Sequence, residues 1–386
     1  MITVDRALGH IFDLVTPLAS ETISIRHAAN RVLTAPVVAA RNQPPFRASV
    51  MDGYAVAGEH SVYTVIGEAA AGHEFSGCLE PGQATRIFTG APLPTGATRV
   101  IIQEDIARDG DQITVAENAD TQAYIRDIGV DFSAGDRIEA PRRLTPADLA
   151  LCAAMNVAQV TVARKPQVAL VATGDELVMP GEVPRADQII ASNTFGLAAM
   201  FEAEGATARL LPIAGDTHAS LEAALHLAAT ADLVVTIGGA SVGDHDLVGE
   251  VAGNLGLDRA FYKIAMRPGK PLMAGRIDGT PMVGLPGNPV SSMVCGHIFL
   301  RPMLRAMQGL AADRLVEQTA HLANPIPANG NREHYMRAHL DGDQVTVADR
   351  QDSSLLSVLS GANALVIRAP HAPAGEIGET VSLIKF

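Results

Sequence analysis

The 386-residue chain holds only three cysteines, Cys78, Cys152 and Cys295, odd in number and widely spaced. With no CxxC pair among them, neither a disulfide framework nor a thiolate zinc site is expected. They read as small buried hydrophobes in a reducing compartment. None of the 12 histidines falls in an HExxH spacing, and no Ser/His/Asp order stands out, which removes zinc protease and serine hydrolase chemistry. GxGxxG and Walker A sequences are missing as well, so the usual dinucleotide and P-loop sites are excluded. No apolar run reaches membrane-spanning length. The opening Met1-Ile2-Thr3-Val4-Asp5-Arg6 lacks a basic stretch leading into an apolar one. A soluble, cytoplasmic protein without a membrane partner is expected. Positive charge is scarce too: the formal net charge of −13 argues against a nucleic-acid surface, and any anionic ligand must be met by local cations and backbone dipoles.

What is present divides into textures. Val4, Leu8, Ile11, Phe12 and Val15 recur at helical spacing and predict an amphipathic N-terminal helix ending before Pro17. After Pro44-Pro45, short alternating runs broken by glycine predict a small β domain over residues 45–135. Thr145-Pro146-Ala147-Asp148 supplies an N-cap, a first-turn proline and an acid, so a helix through Met155 is expected. From Gln167 the pattern becomes α/β: strands Val168–Ala172, Arg209–Ile213, Leu233–Ile237 and Pro281–Leu285 alternate with helices Asn193–Glu204, Leu221–Ala229 and Val290–Met307. That alternation predicts a doubly wound parallel sheet covered on both faces. Beyond residue 312, β texture returns and closes as a small barrel or sandwich.

Three strand ends of the α/β part carry special loops: Thr173-Gly174-Asp175-Glu176, Gly238-Gly239-Ala240-Ser241-Val242-Gly243-Asp244-His245-Asp246, and Pro286-Gly287-Asn288-Pro289. Each alone also reads as a tight turn. In a doubly wound sheet, however, all parallel strands end on one edge, so the three can share one crevice. Glycine lets backbone N–H groups approach an anion, carboxylates hold a divalent cation beside it, and the helix after Pro289 presents its positive end, with Ser291 and Ser292 as extra donors. Glu176 is a candidate metal ligand or base, and Asp216 either an acid of the site or the N-cap of the next helix. Lys263, Arg267 and Lys270 lie on one loop whose path is fixed by Pro268, Gly269 and Pro271, a rigid cationic face suited to phosphate-sized anions.

Six segments in this order, Met51-Asp52-Gly53-Tyr54-Ala55-Val56, Thr89-Gly90-Ala91-Pro92-Leu93-Pro94, Thr173–Leu177, Gly238–Asp246, Arg267-Pro268-Gly269-Lys270-Pro271 and Gly284–Ser291, closely resemble the molybdopterin molybdenumtransferase family, known as MoeA in bacteria and as the gephyrin E domain in animals. The resemblance covers essentially the whole chain. It implies an elongated homodimer with four parts: a helical connecting region (1–44 and 136–166), a small β domain (45–135), an α/β molybdopterin-binding domain (167–311) and a C-terminal β barrel (312–386). It also implies insertion of molybdate into adenylylated molybdopterin, with Mg²⁺-dependent release of AMP and molybdenum cofactor. Further partners implied are the molybdopterin adenylyltransferase and molybdoenzyme apoproteins.

By the same resemblance, Asp52 reaches the crevice from the partner subunit's β domain, with Thr89 beside it. Glu176, Asp216 and Asp246 are the acids of the α/β domain, with Asp216 and Asp246 as metal ligands. Lys263 and Lys270 belong to its reacting face. Thr173, Gly174, Ser192, Gly238, Gly239, Ser241, Arg267, Pro286, Gly287, Pro289 and Ser291 hold the ligand. The chain departs from the commonest pattern at Arg47-Ala48-Ser49-Val50, at Ile190-Ala191 and at Arg267, where lysine is frequent. Two competing readings are adenylyl transfer to molybdopterin and a non-enzymatic scaffold. The former goes with a Gly-Gly-Thr-Gly loop in a single-domain family, whereas this chain has Gly-Gly-Ala-Ser and further domains.

Overall fold

The computed structural model describes residues 1–239 and 247–386. At its centre lies a six-stranded sheet in the spatial order Thr207–Leu210, Gln167–Ala172, Leu233–Ile237, Thr280–Leu285, Met273–Ile277, Asp258–Tyr262. Its first four strands are parallel, as the α/β alternation predicts. Each of the last two pairs antiparallel with the strand before it, which corrects the expectation of a parallel sheet. The reason is local: Asp278 and Gly279 both take positive φ, 46° and 81°, and join paired Ile277 and Thr280 in a two-residue turn that folds the chain straight back. The strand expected at Arg209–Ile213 instead spans Thr207–Leu210, since Pro212 has no N–H to continue a ladder.

Side chains alternate across this sheet with period two. Val168, Leu170, Leu233, Val235, Val283 and Leu285 enter one core, against the helices Asn193–Ala203 and Pro289–Cys295. Ala169, Val171, Val234 and Met282 enter the other, against His218–Ala228 and Leu247–Asn254. The N-terminal helix Val4–Asp13 finds its partner surface in the first core, burying Val4, Ala7, Leu8 and Ile11 there. The helix expected over Val290–Met307 widens into a π turn at Gly296–Leu300 before resuming at Arg301. Pro302 explains the break, because it lacks the N–H for a regular bond and its ring crowds the preceding turn.

Around this centre, the strands Ser20–Ser24, Val32–Leu33, Arg142–Arg143 and Gln159–Ala163 share one sheet, although more than a hundred residues separate their halves. The helix Pro146–Ala154 beside them starts at a capping box in which Thr145 and Asp148 satisfy each other's backbone N–H groups. Between the halves, Gly53–Val56, Val62–Ala69, Gln83–Ile87, Arg99–Ile102, Ile106–Asp109 and Gln112–Val115 build a separate six-stranded sheet. At the C-terminus, five strands close into a barrel, because Glu333–Asp341 pairs with both Gln344–Val347 and Ala364–Arg368. Met266–Arg267 adds to it in parallel with Glu333–His334, stitching the basic loop to the barrel. Cys152 and Cys295 are buried as expected, but Cys78 is exposed: only the next residue, Leu79, turns inward. Among the described residues no helix is long and apolar enough to cross a membrane.

Candidate functional site

The strand order places Gln167–Ala172 and Leu233–Ile237 side by side, yet the first leads outward to Thr207–Leu210 and the second leads the other way toward Thr280–Leu285. Ligands of open α/β sheets sit at the carboxyl ends of strands at such a reversal. A crevice of about 710 Å³ opens there. Thr173, Gly174 and Glu176 come from the first loop, Asp216 from the second, Gly238 and Gly239 from the third, and Pro286, Gly287 and Pro289 from the fourth. Ser192 closes one side, with Leu177, Ile189 and Ile190 forming an apolar wall. Ser241 and Asp246 lie outside the described residues, as does Asp244.

Local chemistry holds these loops in register. Thr173 N–H donates to the Ile237 carbonyl (3.0 Å), Gly238 N–H to Leu285 (3.1 Å) and Gly174 N–H to Ala214 (3.0 Å). Gly238 and Gly239 have φ of 93° and 64°, and a Cβ on either would press into Thr173, at 2.7 Å from its carbonyl oxygen or 2.9 Å from its Oγ1. The close approach therefore requires glycine. Asp175 and Asp216 bracket each other: Asp216 N–H donates to Asp175 Oδ1 (3.0 Å) and Asp175 N–H to Asp216 Oδ2 (3.5 Å). The N-cap role falls to Thr217, whose side chain accepts from Ser220 N–H. Asp216 is thus left exposed on the crevice.

The helix start contributes less than the sequence suggests. Pro289 has no N–H, and Val290 N–H donates to the Ser353 carbonyl (3.1 Å). Ser291 is buried and does not line the crevice. Ser292 ties down the loop, donating to the carbonyls of Pro286 (2.8 Å) and Asn288 (3.0 Å), while Asn193 donates to Gly287 O (2.8 Å).

The basic loop lies beside the crevice rather than in its wall: Pro271 lines it, and Lys263, Arg267 and Lys270 do not. Lys263 takes a φ of 72° and sets its ammonium over the Tyr262 ring at 4.9 Å. Arg267 is exposed and in register with His334. Behind it stands a cationic group that the sequence did not reveal. Arg337 is wholly buried; its Nη2 donates to the carbonyls of Arg350 and Asp352, while Nε and Nη1 have no partner among the described residues. His334 Nε2 is likewise buried and unpartnered. Burial and the charges of Arg267, Arg337 and Arg332 pull the His334 pKa down to about 4. Buried polar atoms left without a partner are rare in folded proteins. An arginine inside the apolar strand Glu333–Asp341 was the available signal.

Asp52 and Thr89 stand together on the small β domain. Thr89 donates both its N–H (2.7 Å) and its Oγ1 hydroxyl (2.8 Å) to Asp52 Oδ1, and these bonds hold the carboxyl below its ordinary pKa. Both residues are exposed, and neither lines the crevice of its own chain.

Comparison with known proteins covers nearly the full length. The family description "MoeA N-terminal region (domain I and II)" matches residues 2–156, "Probable molybdopterin binding domain" matches 169–306, and "MoeA C-terminal region (domain IV)" matches 319–386. Molybdopterin molybdenumtransferase 2 of Mycobacterium tuberculosis is 37% identical over 344 residues, 84% of each chain. The molybdopterin molybdenumtransferase of Haemophilus influenzae is 32% identical over 400 residues, spanning 100% of this chain and 99% of that one. The solved molybdopterin biosynthesis MoeA protein of Pyrococcus horikoshii OT3 superposes with a TM-score of 0.86 at 25% identity, covering 100% of both chains. The chain therefore belongs to the MoeA family, that of the molybdopterin molybdenumtransferases.

Proposed function

We propose that this protein is the molybdenum insertase of molybdenum cofactor biosynthesis: it inserts molybdate into adenylylated molybdopterin and releases AMP and molybdenum cofactor. The observation that carries the reading is the switch-point crevice, with glycine turns, the carboxylates of Glu176, Asp216 and Glu250, and an apolar wall in one cavity of about 710 Å³. An adenylylated pterin dithiolene has matching parts, a flat ring for the wall and phosphates for the close, side-chain-free approach at the glycines.

The phosphoric anhydride to AMP breaks when an oxygen nucleophile attacks phosphorus, and such a reaction needs charge neutralisation and alignment more than a strong base. In this proposal Gly174, Gly238 and Gly239 offer their close backbone to the pterin phosphate. Ser192 and the loop Pro286–Pro289 fix the ligand's outer side. Arg267 and Lys270 form the receiving face for molybdate, a tetrahedral oxyanion, and the buried Arg337 adds positive charge behind them. Asp52 and Thr89 complete the crevice from the second subunit of a homodimer.

Among the described residues no group of three or more His, Cys, Asp and Glu side chains forms a metal cage. That donor set still fits Mg²⁺, which binds through one or two carboxylates together with substrate phosphates. Asp216, with Asp246 beyond the described residues, would hold it, and Glu176 would orient water or the attacking oxygen. When bound, the ion would neutralise charge on the phosphates.

The test mixes the purified protein with adenylylated molybdopterin, Mg²⁺ and molybdate and follows AMP. Molybdate-stimulated AMP release is expected; its absence from folded protein overturns the reading. Glu176→Ala and Asp52→Ala should each keep the fold, by circular dichroism and melting temperature, and lose turnover by about 10²-fold or more.

A further inference from the structure

We propose that Arg86 is a positioning residue: it locks the loop bearing Asp52 and Thr89 into the conformation in which that pair can be presented to a neighbouring crevice. The inference rests on the reading of Asp52 given above.

Arg86 sits on the strand Gln83–Ile87, directly opposite Tyr54. Its guanidinium lies over two aromatic rings, 5.1 Å from that of Tyr54 and 4.7 Å from that of Phe88. Its Nη1 donates to the Gly53 carbonyl (3.0 Å) and its Nη2 to Gln103 Oε1 (2.7 Å). One planar group thus ties together the residue after Asp52, the residue before Thr89, and Gln103, whose own N–H donates to the Asp52 carbonyl (3.1 Å). Gly53 lies close enough to its neighbour strand that a side chain there would drive into the Ile101 backbone.

The residues that follow Asp52 and precede Thr89 therefore meet at Arg86. Such an arrangement exceeds what an ordinary turn needs. A lone surface arginine serves solubility; one clamped by two rings and two acceptors has lost most of its rotamer freedom, and the gain is a fixed loop. Asp52 Oδ1 is engaged by both Thr89 donors, so the clamp leaves Oδ2 as the oxygen to face outward. Lysine cannot replace the fork, since a point charge cannot satisfy two acceptors in one plane while stacking on both rings.

The experiment uses Arg86→Met and Arg86→Lys in full-length dimers. Both should fold, with melting temperatures close to that of the parent, and lose turnover by about 10²-fold, the size expected when a reacting group is displaced by an ångström. Differently tagged subunits are then co-expressed and the mixed dimers purified. Mixed Asp52→Ala with Glu176→Ala is the control: about half of parental activity returns if Asp52 acts across the interface, because one crevice receives intact parts from both chains. Arg86→Met should behave as an Asp52-side variant, regaining about half the activity with Glu176→Ala and none with Asp52→Ala. Rescue by Asp52→Ala instead would overturn the positioning role, and a control without rescue would overturn the cross-subunit reading of Asp52. Independently of activity, ¹³C NMR titration of the Asp52 carboxyl should move upward in Arg86→Lys, which keeps the positive charge that itself lowers that pKa; a titration unchanged from the parent in Arg86→Lys refutes the proposal.

Discussion

A single oxygen, Asp52 Oδ1, receives two hydrogen bonds from one threonine, and that fact sets a testable property of an exposed carboxylate. Hydrogen bonds to the charged form favour it, which is why this carboxyl sits below its ordinary range despite its exposure. Thr89→Val removes the hydroxyl donor and leaves the N–H. The Asp52 pKa should then rise toward the usual carboxylate value without reaching it, as read by carboxyl NMR; no upward movement would show that the backbone bond alone sets the shift. At the same scale, Gly239→Ala should damage both fold and site, because the residue has φ of 64° and no room beside Thr173 and Val248. A stability loss of about 1–3 kcal/mol by denaturant melt is expected, with weakened ligand binding. These residues were partly legible in the sequence. Glycine after a β-branched run announces a strained turn, and Asp52 followed by Gly53 announces a fixed loop. Arg86 was not legible, since nothing in a string of residues shows that one arginine lies over two rings.

Elements show a sharper divide between what pattern can and cannot reveal. The strands Gln167–Ala172, Leu233–Ile237 and Thr280–Leu285 were readable because both of their faces are apolar, and the loops that follow them were readable as site walls because parallel strands end on one edge. The antiparallel pair Asp258–Tyr262 and Met273–Ile277 went unread: Lys263, Pro268, Gly269 and Pro271 dominate the stretch between them, and strand direction leaves no trace in alternation. Asp278-Gly279 was the overlooked signal. The helix Pro289–Met307 was readable as a helix but not as one with a π turn. That turn carries His297, which is buried, accepts from Arg301 Nη1 at 3.3 Å and stacks 4.4 Å from Phe386 of the barrel. Burial and the Arg301 charge push its pKa down to about 3. Because the unfolded chain holds that proton near pH 6.5 and the folded one does not, stability is full above pH 6.5 and falls as the pH drops toward 3. His334, at about 4, adds to the same slope. His297→Phe should flatten the loss of stability between pH 6 and 4 in denaturant melts; an unchanged slope would place the acid sensitivity elsewhere.

At the scale of the whole molecule, the question is what holds the connecting region against the α/β domain, and one buried carboxylate answers for much of it. Glu204 closes the helix Asn193–Ala203 and is 8% exposed. Its Oε1 accepts from Arg301 at 2.7 Å and its Oε2 from Arg143 at 3.3 Å, while its carbonyl accepts from Gln308 at 2.8 Å and again from Arg143 at 3.2 Å. Arg143 also reaches the Asn30 side chain (3.1 Å), and Asn30 in turn donates to the Ala203 carbonyl. Both halves of the connecting region, residues near 30 and near 143, therefore meet the α/β domain at one acid. Burial lowers the Arg143 pKa even though Glu204 raises it, so desolvation is the larger effect here, and the network holds only while all of its members are present. Glu204→Ala leaves two arginines facing each other without a counter-charge. A loss of about 3–5 kcal/mol is expected, the cost of stranding a buried charge, seen as an early unfolding step in a denaturant melt followed by fluorescent labels on the connecting region and the α/β domain. Glu204→Gln keeps the volume and one acceptor oxygen but turns an NH2 donor toward the other arginine and removes the charge, so it should lose nearly as much. A loss confined to Glu204→Ala would mean that packing, and not charge, joins these parts of the chain.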